Sequence, residues 1–91
     1  NPHSMVTLKD EIDYLKKYDS IQRYRYEDKY ILYYEYEKEL ESIPIMRLIL
    51  QPLIENSLYH GIKPLEGSGF IKLRIVRRSG HLIFSVILGV T

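Results

Sequence analysis

Hydrophobic and polar positions follow a helical period at the start of the chain. The spacing i, i+4, i+7 is occupied by Leu8, Ile12 and Leu15. This spacing is typical of an amphipathic helix with one buried stripe. Thr7 precedes the stripe and Asp10 follows three residues later, which resembles a capping box with an acidic first turn. The pattern therefore predicts a helix from Leu8 to about residue 25.

The pattern changes to strict alternation after the polar residues 27–29. One side of the predicted strand carries Tyr30, Leu32, Tyr34 and Tyr36. The other side changes from apolar Ile31 and Tyr33 to acidic Glu35 and Glu37, as in a strand that emerges into solvent. We therefore predict an edge or near-edge strand over residues 30–37, followed by a charged loop over 38–42.

The most apolar stretch covers residues 44–60 and ends at Gly61, a natural helix C-terminus. Pro44 stands where a helix can begin without losing a needed amide. Pro52 removes one amide and clashes with the carbonyl four residues before it, so a single straight helix is disfavoured. The pattern predicts a short helical turn near residues 45–50 and a main helix over 51–60.

Two strands are predicted beyond a flexible loop over residues 62–69. Residues 70–76 alternate, with Ile71, Leu73 and Ile75 on one side. Ser79-Gly80 is a turn dipeptide, and the more apolar residues 82–88 follow it, so the two strands should form an antiparallel hairpin. The order helix, strand, helix, strand, strand predicts an α+β fold, a two-layer α/β sandwich.

Composition and charge exclude several classes of function. The 91 residues suffice for one small domain, which excludes functions that need two complete domains. Lys and Arg number 13 against 12 Asp and Glu, and a net charge of +1 does not favour nucleic acid or membrane surfaces as partners. The absence of cysteine excludes thiol chemistry. No apolar run approaches the ~20 residues that span a bilayer, so we expect a soluble piece.

Tyrosine is unusually frequent. There are nine, and all but Tyr59 fall between Tyr14 and Tyr36. An apolar ring with a polar tip suits an element with one face on the core and wet edges. A stacking platform for nucleic acid would need basic residues interleaved on a sheet face, and only Arg23, Arg25 and Lys29 are near. We therefore predict a tyrosine-faced helix and strand, with no nucleic-acid partner.

Four polar residues interrupt the apolar helix that is predicted over 51–60. They are Gln51, Glu55, Asn56 and His60, and their spacing of four or five places them on roughly one face of an otherwise buried helix. A Glu beside an Asn, with His one turn later, can offer an oxygen ligand to Mg²⁺ and donors to phosphates. A helix-terminal His and an Asn satisfied by backbone are the alternative, and the spacing alone leaves both open.

The run QPLIENSLYHGI, residues 51–62, resembles the N-box of LytS-type sensor histidine kinases, whose segment reads QPLVENAxKHG. VTLKDEIDYL, residues 6–15, looks like the family's VTLxEELxYL helix start, and IQRYRY, residues 21–26, looks like its IQxxRF. Ile43-Pro44 stands where the family has IPPLLLQPL. These matches cover residues 6 to about 86 in the family's order and spacing.

The resemblance implies a partial Bergerat-type ATP-binding domain, the catalytic part of a two-component kinase that phosphorylates its own histidine. By position, Asn56 would be the Mg²⁺ ligand that bridges to the ATP phosphates, and Glu55 the adjacent catalytic carboxylate. His60 and Lys63 would approach the nucleotide phosphates or ribose. The parent would lie in the bacterial cytoplasmic membrane with this domain in the cytoplasm, and its partners would be a response regulator and its own phosphoacceptor helix.

The chain also departs from the family's pattern. Tyr59 stands where many members have Lys just before the His. The family continues with an Asp-x-Gly-x-Gly segment whose Asp receives the adenine amino group, and alignment on Gly89 puts Ile87 at the Asp and Thr91 at the second Gly. We therefore expect this chain to bind MgATP weakly or not at all and to be inactive in isolation. The alternative is a non-catalytic, degenerate ATPase-fold module for interaction or dimerisation.

The two ends of the chain carry further expectations. Residues 1–5 are interpreted as a leader left by cloning, although His3 echoes the family's NPHFLFN phosphoacceptor box, and residues 6–91 as the partial ATP-binding domain. His81, beside the hairpin turn, is expected at the surface. The apolar strand over 82–88 predicts self-association, and hence a homo-oligomer, because an uncovered strand edge readily pairs with another chain.

Overall fold

The chain folds into two helices and five strands in a computed structural model that describes residues 4–91. In chain order these elements are β1 (Met5–Thr7), α1 (Leu8–Arg25), β2 (Tyr30–Glu35), β3 (Pro44–Met46), α2 (Gln51–Ser57), β4 (Gly69–Arg78) and β5 (His81–Val90). A 3₁₀ turn, Lys38–Ser42, precedes β3, and a π-helical turn, Leu58–Ile62, continues α2. His3 and the rest of residues 1–3 lie outside the described residues.

The larger sheet has the strand order β2-β4-β5. β2 runs parallel to β4, and β5 runs antiparallel to β4. The turn between β4 and β5 is Ser79-Gly80, with φ of 50° and 76°. Two positive φ values in a two-residue loop match the turn whose twist suits a hairpin. The predicted hairpin is confirmed, and so is the position of β2 at an edge.

One face of this sheet is covered and the other is open. On the open face, Ile31, Tyr33 and Glu35 of β2 are exposed. Both helices pack against the covered face, so the predicted α+β arrangement in two layers is confirmed. The buried core consists of Leu8, Ile12, Leu15, Tyr30, Leu32, Leu40, Ile45, Leu50, Ile54, Leu58, Ile62, Ile71, Leu73 and Ile75.

Helix α1 begins and ends where the hydrophobic pattern predicts. The Thr7 hydroxyl accepts a hydrogen bond from the Asp10 amide at 3.2 Å, which satisfies one of the unpaired donors at the helix start. Leu8, Ile12 and Leu15 are buried against the sheet. The cap fixes where α1 begins, and the buried stripe fixes which of its faces packs on the sheet.

Tyrosine side chains join α1 to the sheet. This agrees with the tyrosine-faced helix and strand predicted from the sequence. The Tyr30 hydroxyl on β2 donates to the Asp19 carboxylate on α1 at 2.6 Å. The Tyr36 hydroxyl, just past β2, donates to Glu41 at 2.8 Å. Hydrogen bonds to a charged partner are stronger than neutral ones, so the Tyr30 hydroxyl stabilises the contact between the two layers. The Tyr36 hydroxyl instead holds the 3₁₀ turn beside the end of β2.

The short helical turn predicted near residues 45–50 is wrong. Residues 44–46 form β3 instead, which pairs antiparallel with β1 so that Val6 lies opposite Ile45. This pairing buries Ile45, and Leu48 then takes a φ of 61° that no helix permits. The pairing also places Met5, the last residue of the predicted leader, opposite Met46. A partner strand forty residues away cannot be found from a local period.

The predicted helix end at Gly61 is also wrong. The backbone continues through the π-helical turn, where the Lys63 amide donates to the Leu58 carbonyl at 2.8 Å. Gly61 does not take the left-handed conformation of a helix cap. Its missing side chain leaves room for Leu88 of β5, because a Cβ there would lie 2.3 Å from the Leu88 Cδ1. Gly61 therefore allows close packing of this turn against β5.

Gly69 allows an equally close approach within the sheet, and its substitution should be costly. A Cβ on Gly69 would lie 2.6 Å from the Gly89 carbonyl oxygen, and backbone cannot swing aside as a side chain can. We expect Gly69→Ala to lower the free energy of unfolding by about 1–3 kcal/mol, the range for overpacking. Urea unfolding would measure this loss. Gly67→Ala is the matched control, since its Cβ would have nothing within 4 Å; equal losses in both variants would contradict the prediction.

Candidate functional site

An open cleft lies between the C-terminal half of α1 and the segment formed by α2 and the π-helical turn. Its volume is about 480 Å³, within the range of small-molecule sites. One wall carries Tyr18 and Gln22 of α1 and Tyr26 just past its end, and the opposite wall carries Glu55, Asn56, Tyr59 and His60. Three of the four site residues predicted from the sequence therefore line one cleft.

The helical period explains why these side chains converge. Tyr18, Gln22 and Tyr26 follow one another at intervals of four, so they form one stripe that runs along α1 to the residue just past its end. On the opposite wall Ile54, Ser57 and Leu58 are buried, which leaves the neighbouring positions 55, 56, 59 and 60 towards the cleft. Core packing of the apolar positions thus presents the polar positions to solvent.

The expectation that the polar quartet lies in a buried helix is wrong. Glu55, Asn56 and His60 are exposed in the cleft. Gln51 lies one turn away, does not line the cleft, and its Oε1 is buried without a hydrogen-bond partner among the described residues. The helix is half-covered because only one of its faces meets the sheet. The three exposed groups are therefore free to contact a ligand, whereas Gln51 is not.

Tyr18 is the cleft residue whose titration is perturbed. Burial and the nearby Glu55 carboxylate raise the pKa of Tyr18 to about 12. Its hydroxyl therefore stays protonated at neutral pH and can donate a hydrogen bond across the cleft. From the sequence, the tyrosines of this region are predicted only as one face of the helix and strand. The signal that could have placed Tyr18 at the site is the stripe of polar-tipped residues at intervals of four along α1.

Lys63, the fourth predicted site residue, does not line the cleft. Its ammonium lies 4.8 Å from the centre of the Tyr59 ring, a cation–π contact. The Tyr59 ring in turn meets the His60 ring edge-on, with centroids 4.9 Å apart. The structure thus holds Lys63 beside the cleft, and Tyr59 separates it from His60. The spacing of four between an aromatic residue and a lysine was the available signal for this contact.

Two neighbouring side chains in the cleft have oxygen atoms of the kind that bind Mg²⁺. Glu55 offers a carboxylate and the adjacent Asn56 an amide oxygen, both ligand types that Mg²⁺ accepts. Among residues 4–91 no group of three or more His, Cys, Asp or Glu side chains could hold a metal ion. Mg²⁺ commonly takes one or two protein oxygens and completes its shell with substrate phosphates and water. Glu55 and Asn56 therefore fit a Mg²⁺ ion that also binds substrate phosphates and water. They do not form a site in which the protein supplies every ligand.

The C-terminal end of β5 carries apolar side chains where the family resemblance requires an acceptor for adenine. Ile87 lies opposite Lys72 of β4 on the open face of the sheet, away from the helices. Leu88 occupies the covered face and packs against Gly61. Neither side chain can accept a hydrogen bond from an exocyclic amine. This end of the strand therefore lacks the acceptor that the family resemblance requires for adenine.

No protein-family model matches the chain. Two curated relatives are similar over most of it. The sensor histidine kinase YpdA of Escherichia coli (strain K12) is 31% identical over 86 residues, which cover 84% of this chain and 15% of the relative. The sensor protein kinase HptS of Staphylococcus aureus (strain USA300) is 34% identical over 83 residues, which cover 91% of this chain and 16% of the relative.

The chain belongs to the sensor histidine kinase family. It spans about one sixth of the length of the relatives it matches. In this sensor histidine kinase chain, the cleft with Glu55, Asn56 and His60 lies within the shared segment. None of the helices within residues 4–91 is long and apolar enough to cross a membrane.

Proposed function

We propose that this sensor histidine kinase chain is part of a LytS-type ATP-binding domain of the Bergerat type. The observation that carries the proposal is the position of Glu55, Asn56 and His60 on one wall of an open cleft. These are the residues that the resemblance to the N-box assigns to nucleotide phosphates and Mg²⁺. The α+β fold with helices on one face of the sheet agrees with a partial sandwich of this type.

Each cleft residue has a role that its chemistry supports. The Asn56 amide oxygen would be the protein ligand of Mg²⁺ between the protein and the phosphates. The Glu55 carboxylate would orient water or the acceptor group beside it. His60 would donate a hydrogen bond to a phosphate or to the ribose. Lys63, held on Tyr59, would contribute through its charge from outside the cleft.

The longer protein would transfer the γ-phosphoryl group of ATP to a histidine on its own phosphoacceptor helix. ADP would leave as the bond from γ-phosphorus to the bridging oxygen breaks and a bond to the imidazole nitrogen forms. The phosphoryl group would then pass to an aspartate of a response regulator. We propose that the longer protein lies in the bacterial cytoplasmic membrane with this domain in the cytoplasm.

A second candidate function is a non-catalytic interaction module on the same fold. The observation that favours it is the end of β5, where Ile87 faces solvent and Leu88 faces the helices. A kinase domain of this family that lacks an acceptor for adenine would not hold ATP in a defined position. The two candidates differ in whether the chain's cleft contributes to nucleotide binding at all.

Titration of the 91-residue chain with MgATP should show no saturable binding at micromolar concentrations. The cleft is open to solvent, and the side chains of Ile87 and Leu88 in β5 offer no hydrogen-bond acceptor for the base. Phosphate contacts are therefore the main contacts that remain. Mg²⁺ with inorganic triphosphate should therefore bind about as weakly as MgATP. Calorimetry measures both. A micromolar dissociation constant for MgATP that Asn56→Ala abolishes would contradict this expectation and would show a complete nucleotide site.

A further inference from the structure

The Glu55 carboxylate stands exposed on one wall of the cleft. Among residues 4–91 it forms no ion pair and accepts no side-chain hydrogen bond of ordinary length. A glutamate side chain turns about three bonds, so a carboxylate without a partner occupies many positions. A carboxylate that orients water or an acceptor group has to be held in one of them. The role proposed for Glu55 therefore requires a group that holds it.

Tyr18 presents a fixed hydroxyl on the opposite wall of the same cleft. Its ring is half-buried and packs against the hydrophobic core beneath α1. Tyrosine turns about only two bonds, so packing of the ring also fixes the direction of the hydroxyl. A rigid phenol at this place can hold a flexible carboxylate at little cost in conformational entropy.

The surroundings of the Tyr18 hydroxyl leave its hydrogen available to an acceptor. After burial, the Glu55 charge is the next largest cause of the raised pKa of Tyr18, so the two groups are neighbours. The Gln22 side chain acts in the opposite direction, as a hydrogen-bond donor to the hydroxyl oxygen does. Gln22 therefore serves the oxygen of the hydroxyl and not its hydrogen.

The other groups beside the cleft are less suited to hold Glu55. The Tyr26 ring meets the Tyr30 ring edge-on, with centroids 6.0 Å apart. Arg25 acts on the Tyr18 hydroxyl through its charge, but it is exposed and does not line the cleft. Hydrogen bonds of a catalytic site are often long until the substrate is bound, so the distance between Tyr18 and Glu55 shortens when the cleft is occupied.

We propose that Tyr18 is a positioning residue whose hydroxyl donates a hydrogen bond to the Glu55 carboxylate and fixes the direction in which Glu55 meets water or the acceptor group. This role rests on the function proposed for the cleft and extends it from α2 to α1. Tyr18 touches neither nucleotide nor acceptor and acts through Glu55. The packing of α1 beside α2 is then a requirement of the reaction as well as of the fold.

Tyr18→Phe in a longer kinase that contains this chain tests the role, because phenylalanine keeps the ring in the core and removes only the hydroxyl. The kcat for histidine phosphorylation should fall at least about tenfold, since a misplacement of about 1 Å can cost as much as 10²-fold. The KM for ATP should change by less than about twofold, because the hydroxyl binds no nucleotide. Tyr14→Phe is the matched control: Tyr14 lies one turn earlier on α1, half-exposed and outside the cleft, and its variant should keep full activity.

A double-mutant cycle shows whether Tyr18 acts through Glu55. In a Glu55→Ala background, Tyr18→Phe should lower the rate by less than about twofold further, because the carboxylate that it positions is already absent. A tenfold loss that is the same with and without Glu55 would overturn the positioning role, since Tyr18 would then act on its own. A raised KM with an unchanged kcat would overturn it as well.

Titration of the 91-residue chain tests the contact without any activity. Carbon NMR of ring-labelled tyrosine follows the onset of ionisation above pH 10. Glu55→Ala should lower the pKa of Tyr18 from about 12 towards its ordinary value of 10.0, whereas Glu66→Ala, in an exposed loop outside the cleft, should leave it unchanged. An unchanged pKa in the Glu55→Ala chain would show that the two groups are not neighbours, which overturns the inference.

These outcomes separate the positioning role from the function on which it rests. If Glu55→Ala abolishes phosphorylation and Tyr18→Phe has full activity, the positioning role is wrong and the proposed function stands. If Glu55→Ala leaves phosphorylation unchanged, both are wrong, because there is then no reacting carboxylate to position.

Discussion

Raising the pH from about 10 to about 12 should progressively lower the free energy of unfolding of this chain. The reason is the hydroxyls of Tyr30 and Tyr34 between α1 and the sheet, together with that of Tyr36 beside the 3₁₀ turn. Burial, and after it the hydrogen bond to Asp19, raises the pKa of Tyr30 well above its ordinary value of 10.0. Burial and the neighbouring Asp19 charge do the same for the pKa of Tyr34. Burial and Glu41 raise the pKa of Tyr36 to about 12.

The sign of the effect follows from proton binding. Above pH 10 the unfolded chain releases the tyrosine protons, whereas the folded chain keeps them until the pH reaches the raised pKa. The folded state then binds more protons than the unfolded state, so the free energy of unfolding falls as pH rises. For the fully buried Tyr30 the fall is about 1.4 kcal/mol per pH unit. A chain of this size has only roughly 5–14 kcal/mol in total.

Tyr30→Phe provides the measurement. At neutral pH the variant loses a hydrogen bond to a carboxylate, and we expect a loss of about 1.5–3 kcal/mol in the free energy of unfolding. Above pH 10 the wild type loses stability through Tyr30 and the variant does not. The difference between them should therefore close within about two pH units.

Tyr24→Phe is the matched control for this measurement. The Tyr24 side chain is 86% exposed, so its removal should leave the dependence of stability on pH unchanged. Urea unfolding at pH 7, 10, 11 and 12 measures both variants. A constant difference between wild type and Tyr30→Phe across this range would show that the Tyr30 proton is not linked to folding.

The elements that the sequence predicts well are those specified by local rules. α1 has a cap at Thr7 and a buried stripe at a helical period, and both are contained in one short segment. The hairpin of β4 and β5 depends on alternation and on the Ser79-Gly80 turn, which are also local. The hydrogen bond between α1 and the sheet likewise involves Tyr30, on the side of β2 that the alternating pattern assigns to the core.

The elements that the sequence predicts poorly depend on contacts between distant segments. β3 forms because Ile45 can pair with Val6, and that pairing replaces the helical preference of residues 45–50. The π-helical turn at Gly61 packs closely against Leu88 of β5, a contact that no local pattern predicts. Tyr18 and Gln22 form a wall of the cleft only because α1 lies beside α2. No local pattern in the sequence predicts that the two helices are neighbours.

In a longer kinase that contains this chain, Asn56→Ala should lower histidine phosphorylation by at least about a hundredfold. Asn56 is the amide oxygen in the cleft, and loss of one group that stabilises developing charge typically costs about 10²–10³ in rate. The side chain is exposed, so the fold should be unaffected, with a change of about 0.5 kcal/mol or less in unfolding free energy. Transfer of labelled phosphate from ATP measures the rate.

Two comparisons make this prediction specific to the cleft. Glu55→Gln should reduce phosphorylation strongly, whereas Glu66→Gln, an equal change of charge in an exposed loop outside the cleft, should have little effect. Lys63→Ala should cost less than about tenfold, because its ammonium rests on Tyr59 and does not line the cleft. If Asn56→Ala and Glu66→Gln retained equal activity, the cleft would not contribute to catalysis and the interaction module would be the better account of this fold.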